Sequence, residues 1–535
     1  MFRDFLFYKK PIEKENFTLT KSPKPYKTPY EIKSKISSEI ETNKKYIENV
    51  FSVPINNDVV LRDVEIFING KAVKVLVLYC EGLARSDSIN ECILKPFMYL
   101  SEKNKQSKED TMSFIKKQLL PQGQTKETEN INDAIESANY GNAIIFVDGQ
   151  TKAFIIDVKG WANRGISTPK DETVIQGPHE GFNEMIRMNT ALLRKTLNTS
   201  NLVMEGITLG KTSKTPSVIA YLKNVADPEI IKEVKRRLES IDAEYILTSL
   251  DAEQFIEDEP FISVPQILST ERPDRVSQSL IEGRVAIMVS GSPHVLIVPS
   301  TIFDFTRSTE DEYLRYPYSV FIKIIRLVAV ILALFSPAIF IAVTTYHQDI
   351  ILTNLLFSLE ASRRLVPFPA ILELFLLEIS FELIKEAGVR VPDPIGQTLG
   401  IVGGLIIGQA AVSANIVSPI MIIVVAITGI ASFAIPSYEL SFSFRVSRFI
   451  YTISAAFAGF LGMLTVFFID ALLVMSCKSI GVPYTAPLIP KEKMSVFSTF
   501  LNVPVWKKEL RPEYLKPRDN QKQEKISRKW MYKRK

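Results

Sequence analysis

Between Ile395 and Tyr438 the chain runs for 44 residues without an Asp, Glu, Lys or Arg. About 20 apolar residues cross a bilayer core, so this run is long enough for two crossings. They divide near Ala414-Asn415, with Pro419 in the first turn of the second. The first part carries Gly396, Gly400, Gly404 and Gly408, one every fourth residue and therefore on one helix face. Such a face lets another backbone approach closely, as in small-xxx-small helix packing. Gln397, Gln409, Ser413 and Asn415 are its polar groups.

Two further apolar runs predict crossings. Leu327 to Gln348 follows Lys323 and Arg326, which place its start on the cytoplasmic side. Phe449–Ile469, extended to about Ser476, contains Gly459, Gly462 and the intramembrane Asp470. Between these runs, Asp349–Arg364 is amphipathic. Phe368–Glu386 is apolar but interrupted by Glu373, Glu378 and Glu382. Carboxylates at membrane depth are costly unless they face water or partners. Glu378 and Glu382 share a face, and Lys385 is spaced to pair with Glu382. A full crossing by Phe368–Glu386 makes five spans and puts the C-terminal tail outside. The favoured count is four crossings plus this one incompletely inserted helix, which leaves Arg445 and Arg448 outside.

Upstream the pattern changes to short strands and amphipathic helices. AIIFVDG at Ala143–Gly149 reappears as VAIMVSG at Val285–Gly291, and AFII at Ala153–Ile156 as VLIV at Val295–Val298, both 142 positions on. Each pair reads as a hairpin about a glycine-containing turn. A weaker echo aligns VLVLY at Val75–Tyr79 with VIAYL at Val218–Leu222 at offset 143. Helices are expected over Ser86–Leu100, Asn130–Asn139, His179–Leu197 and Pro228–Ile241. The fold class is therefore an α/β cytoplasmic N-terminal region of two similar subdomains, followed by an α-helical integral membrane domain. The expected divisions are a basic disordered arm (1–35), α/β subdomains at 36–165 and 166–316, a transmembrane domain of four to five spans (317–490), and a basic cytoplasmic tail (491–535).

Charge and chemistry narrow the function. Residues 491–535 hold 14 Lys/Arg against 5 Asp/Glu, a local net of +9 in a chain whose total is +5. A basic tail beside a membrane domain reads as cytoplasmic and facing membrane lipid rather than nucleic acid. The first residues lack the apolar core and cleavage site of a signal peptide. Cys80, Cys92 and Cys477 and the three histidines, His179, His294 and His347, are scattered, so no metal site, cofactor or histidine triad is expected. No nucleotide loop, nucleophile elbow or catalytic carboxylate pair is present, and no enzyme is expected. Gly177–Gly181 is either a plain helix start or an anion-binding one. Thr270–Asp274 reads as a capped turn with a salt bridge. The glycine helix has two readings: helix packing bridged by amides, or, with the glutamates, the wall of a cation path in an oligomer. A transporter site at a broken helix is the competitor.

Five stretches resemble the A subunits of GerA-type spore germination receptors: GPHEGFNEMIRMNTALLR from Gly177, TERPD from Thr270, PFPAILELFLLEISFELIKEAGVRVP from Pro367, PIGQTLGIVGGLIIGQAAV from Pro394 and GVPYTAPLIP from Gly481. Where that family often has a DGTP-like turn, this chain has Ser290-Gly291-Ser292-Pro293. The resemblance implies a multi-pass protein of the spore inner membrane, with its N-terminal domain and tail on the core side. It implies a complex with a transporter-like B subunit and a lipoprotein C subunit. It also implies a homo-oligomer through which nutrient germinants trigger release of monovalent cations. Two alternatives stay open: an accessory family member that amplifies germination, or a small-molecule or partner-binding subunit with a membrane anchor.

Overall fold

A computed structural model describes residues 17–19, 21–28, 35–68, 71–99, 111–119, 125–160, 168–169, 172–390, 404, 408–490 and 503–524. The first lobe opens with helix α1 (Ile40–Phe51) and a hairpin of β1 (Val59–Ile68) and β2 (Lys71–Cys80). A broken helical run, Ser86–Ile89, Asn90–Leu94 and Lys95–Tyr99, leads toward β3 (Thr125–Thr128), α2 (Ile131–Asn139), β4 (Ala143–Val147) and β5 (Ala153–Ile156). The second lobe repeats the plan with α3 (Ile186–Thr196), β6 (Leu202–Leu209), β7 (Thr215–Leu222), α4 (Pro228–Glu239), α5 (Ser249–Ile256), β8 (Leu268–Thr270), α6 (Pro273–Glu282), β9 (Val285–Val289) and β10 (Val295–Val298).

The sheets have strand orders β1-β2-β4-β5-β3 and β6-β7-β9-β10-β8, which are the same order in the two lobes. Every strand pairing is antiparallel, so the lobes are built from hairpins and not from wound parallel βαβ units. Register fixes the repeat. Val75 pairs with Val147 and Ser217 with Val289, so β2 maps on β7 at offset 142, not the 143 read from sequence. A one-residue slip would send each side chain to the opposite face. Both apolar strings tolerate the slip on paper; the ladder to β4 and β9 does not.

Each sheet is covered on both faces, which is why β4 and β9 read as unbroken apolar runs. In lobe 1, α1 and α2 cover Leu76, Leu78, Ile144 and Phe146. The helical run covers Val75, Val77, Ile145 and Val147. In lobe 2, α4 and α5 cover Ile219, Ile287 and Leu296. On the other face α3 and α6 share Ala220, Ala286 and Met288 with Ala329, Ala333, Ala431, Leu440 and Cys477 from the helical half. Lobe 2 is thus the platform on which that half stands. Between the lobes, Arg194 of α3 makes a buried bidentate ion pair with Asp58, at 2.5 and 2.8 Å.

Of two segments near α3 singled out in the sequence, one differs from expectation. The helix begins at Ile186, not His179; Gly177 has φ +128° and the Phe182 N–H donates to the Glu271 carbonyl. The anion-binding helix start at Gly177–Gly181 is therefore absent. The Thr270–Asp274 turn is as expected: Pro273 occupies the first turn of α6 and Arg272 pairs with Asp274 at 2.8 Å.

Candidate functional site: a charge-paired helical core

The helical half contains α7 (Tyr316–Thr345), α8 (Thr353–Arg363), α9 (Ala370–Arg390), α10 (Pro419–Phe433) and α11 (Tyr438–Ser476). Two of them, α7 and α11, are long and apolar enough to cross a membrane. The base of α7 is held to lobe 2 by Arg326, whose guanidinium meets Asp311 at 2.6 Å. Its far end reaches the middle of α11, where the Tyr346 hydroxyl donates to the Ala456 and Phe457 carbonyls at 2.9 and 2.7 Å.

α11 is not the single crossing read from sequence. Ala458 and Gly459 leave helical geometry, Gly459 with φ +59° and ψ −140°. The chain then doubles back: a Cβ on Gly462 would lie 2.2 Å from the Ser454 carbonyl oxygen. The Tyr451 hydroxyl reaches Asp470 at 2.9 Å. Leg 438–457 leaves lobe 2 and leg 460–476 returns to it, since Leu440 and Cys477 both pack in the lobe 2 core. Phe335 of α7 lies edge-on to Tyr451 and Phe467, between the legs.

α9 runs the length of the bundle. Its first turn packs with Ile341 and Met421 at the end remote from lobe 2. Its later turns reach Gly429 and Phe433 near lobe 2, where Lys385 lies 4.6 Å over the Phe433 ring instead of pairing with Glu382. Gly429 is there because Phe381 needs the room: a Cβ would meet that ring at 2.6 Å.

Three of the four glutamates of α9, Glu373, Glu378 and Glu382, are matched by arginines along its length. Glu382 meets Arg445 at 2.8 Å and Arg448 at 3.3 Å. Deeper, Glu378 meets Arg448 at 3.2 Å, with both side chains 2% exposed. At the remote end the buried Glu373 accepts from the Ser418 N–H at 2.6 Å and lies 3.5 Å from Arg363. Arg445 and Arg448 therefore sit buried within the bundle, on the leg leaving lobe 2. Arginine suits such sites because its fixed fork satisfies a carboxylate while staying charged. The signal was present in sequence as Arg445 and Arg448 three apart, facing Glu378 and Glu382 four apart, but nothing local joins positions more than 60 residues distant. These carboxylates are committed within the chain and do not form a free acidic ring.

Of the glycine ladder, Gly396, Gln397 and Gly400 lie outside the described residues. Gly404 is exposed, and a Cβ there meets nothing within 4 Å. A Cβ on Gly408 would touch only Ile422 Cδ1 at 3.9 Å. Gln409, Ser413 and Asn415 are exposed, Asn415 closing the helix with φ +54°. Among the described residues the ladder thus makes one side-chain contact with α10 at Gly408 and none at Gly404. Close packing within the chain uses Gly429, Gly459 and Gly462 instead.

The basic tail is also differently placed. Over residues 503–524 it lies on lobe 2: Arg511 donates to the Ile281 carbonyl at 2.7 Å, Arg518 to Lys223 at 3.0 Å, and Lys508 pairs with Glu312 at 2.6 Å. These described cations are spent on lobe 2 rather than on membrane lipid. Beneath them Arg284 and Asp304 form a buried pair at 2.7 and 2.8 Å. Burial alone would raise the Asp304 carboxyl, but the adjoining Arg284 guanidinium holds it below its ordinary value.

A duplicated three-layer N-terminal half seated on a charge-paired apolar helical bundle, with two helices long and apolar enough to cross a membrane, defines a two-part chain. The chain belongs to the GerA family of Bacillus/Clostridium spore germination proteins, whose model matches residues 45–514. It is 38% identical to spore germination protein KA of Bacillus subtilis over 91% of this chain and 88% of that one. Spore germination protein GerLA of Bacillus cereus is 34% identical over 87% and 93%. An uncharacterized membrane protein of Bacillus subtilis, YfkQ, is 39% identical over 85% and 88%. The crystal structure of the N-terminal domain of the A subunit of the Bacillus megaterium germinant receptor GerK3 aligns at 27% identity with a TM-score of 0.39, covering 50% of this chain and 97% of that one.

Proposed function

We propose that this chain is the A-type membrane subunit of a nutrient germinant receptor, acting without catalysis as an oligomeric, germinant-gated cation channel. The supporting observation is that Gly404, Gln409, Ser413 and Asn415 are all exposed among the described residues. Small and amide-bearing positions left uncovered among the described residues suit a surface repeated around an axis, where backbone carbonyls and amides line the path. Because Glu373, Glu378 and Glu382 are paired, selectivity would come from that face and not from a carboxylate ring. With the charge-free run from Ile395 to Ala414 counted as one crossing from its sequence alone, α7, α9, α10 and both legs of α11 bring the total to six passes. Both ends of the membrane half then lie on the lobe 2 side, the core side of the spore inner membrane. Transporter-like B and lipoprotein C subunits complete the assembly, the former holding the germinant.

Spores carrying Gln409→Leu should assemble the receptor but release potassium slowly on germinant addition. Unchanged release kinetics would count against this face as the path. The kinship with YfkQ, which is not named as a germination protein, favours the accessory reading as the alternative. Loss of germination when this gene alone is deleted, restored only together with B and C partners, separates the two.

A further inference from the structure

A cavity of about 350 Å³ lies between lobe 2 and the docked tail, roofed by Lys508, Leu510, Pro512 and Tyr514. Most of its carboxylates are already engaged. Asp304 accepts from Arg284 and Thr301, Glu312 accepts from Lys508 and Gln278, and Glu282 faces Lys522 at 3.7 Å. Lys507 and Glu509, both at the wall, offset one another. Arg307 is the exception: it acts on the Asp304 carboxylate only through space, without a hydrogen bond. It lines the cavity, its guanidinium has no hydrogen bond or ion pair among the described residues, and its Nε is buried. A buried donor with no acceptor is expensive, and more so on a charged group. An oxyanion in the cavity would supply that acceptor and a counter-charge together.

We propose that this cavity is a binding site for a small phosphate- or carboxylate-bearing anion, anchored by Arg307 and closed by the tail. Its place gives occupancy a consequence. Arg307 and Glu312 lie in the connector between lobe 2 and α7. Glu312 holds the tail through Lys508, and the neighbouring Asp311 holds α7 through Arg326. A bound anion would fasten the tail to lobe 2 at the point where the lobe meets the first membrane helix. The anion could be free in solution or the headgroup of an acidic lipid beside α7, since the oxyanion chemistry is shared.

The test uses the full-length protein in neutral-lipid nanodiscs, with hydrogen exchange of residues 503–524 as readout and inorganic phosphate as the soluble probe. A second set of nanodiscs contains phosphatidylglycerol. Saturable protection by phosphate, weakened roughly tenfold or more in Arg307→Gln and partly kept in Arg307→Lys, supports the site with a soluble anion. Protection that appears only with phosphatidylglycerol and disappears in Arg307→Gln supports it with a lipid headgroup. Absence of protection by either probe in the unaltered protein overturns the proposal, whatever the variants do. Equal protection in Arg307→Gln overturns it too.

Discussion

The Tyr451 hydroxyl and Asp470 share a 2.9 Å hydrogen bond although 19 residues of continuous helical sequence separate them. A straight helix would set their Cα atoms roughly 28 Å apart. The bond exists because the chain reverses at Ala458-Gly459, and α7 clamps the reversal from the remote end through Tyr346 and His347. Gly459 holds a backbone conformation that L side chains rarely adopt, and a Cβ there would lie 2.9 Å from His347 Nε2. Gly459→Ala should therefore cost about 1–3 kcal/mol, read as a lower melting temperature of the detergent-solubilised protein. A melting curve identical to the parent's would show that the reversal does not depend on this glycine.

Arg448 and Glu378 make the deepest ion pair of the bundle. Removing one partner leaves an uncompensated buried charge, a loss of about 3–5 kcal/mol, whereas replacing both by apolar residues of similar size is often close to neutral. Arg448→Met is expected to be severely destabilised, and Arg448→Met with Glu378→Leu to regain most of that stability. Additive losses in the double-mutant cycle would mean the two side chains do not interact.

Stability should also depend on pH through Glu253, on the α5 face near α11. Burial, reinforced by Glu439 and Glu257, raises its carboxyl to about 9. The folded value lies above the ordinary one near 4.5, so folding favours the proton-bound form. That contribution is complete below about pH 4.5 and is lost as pH rises toward 9. At pH 7 the accumulated loss is at most about 3 kcal/mol. Glu253→Gln should raise thermal stability at pH 7–8 and flatten its decline with pH. An unchanged pH profile in this variant would contradict the argument.

The parts that were legible in sequence are those whose signals are local. The β4–β5 and β9–β10 hairpins announce themselves because each places an apolar strand on either side of a glycine turn, and their shared 142-residue offset revealed the duplication. The close of the glycine helix at Asn415 and the start of α10 at Pro419 were legible for the same reason. The helical reversal was not, because Ala458-Gly459 sits inside a charge-free run where a two-residue break leaves no trace in hydropathy. The glutamates of α9 stood out, but their partners did not, since Arg445 and Arg448 belong to another helix and only packing brings them together. That gap also hid how α9 and the two legs of α11 run side by side in the bundle. The tail looked lipid-facing because nine net positive charges say nothing about the carbonyls and carboxylates of lobe 2 that receive some of them.

The central claim is that the uncovered glycine face works between copies of the chain. Gly404→Leu tests it most directly, because a side chain begun there meets no described atom of its own chain within 4 Å. The variant should reach normal levels in spore membranes. Potassium release after germinant addition should nonetheless be abolished or slowed by an order of magnitude or more. Normal release from spores with normal levels of the Gly404→Leu protein would contradict the account.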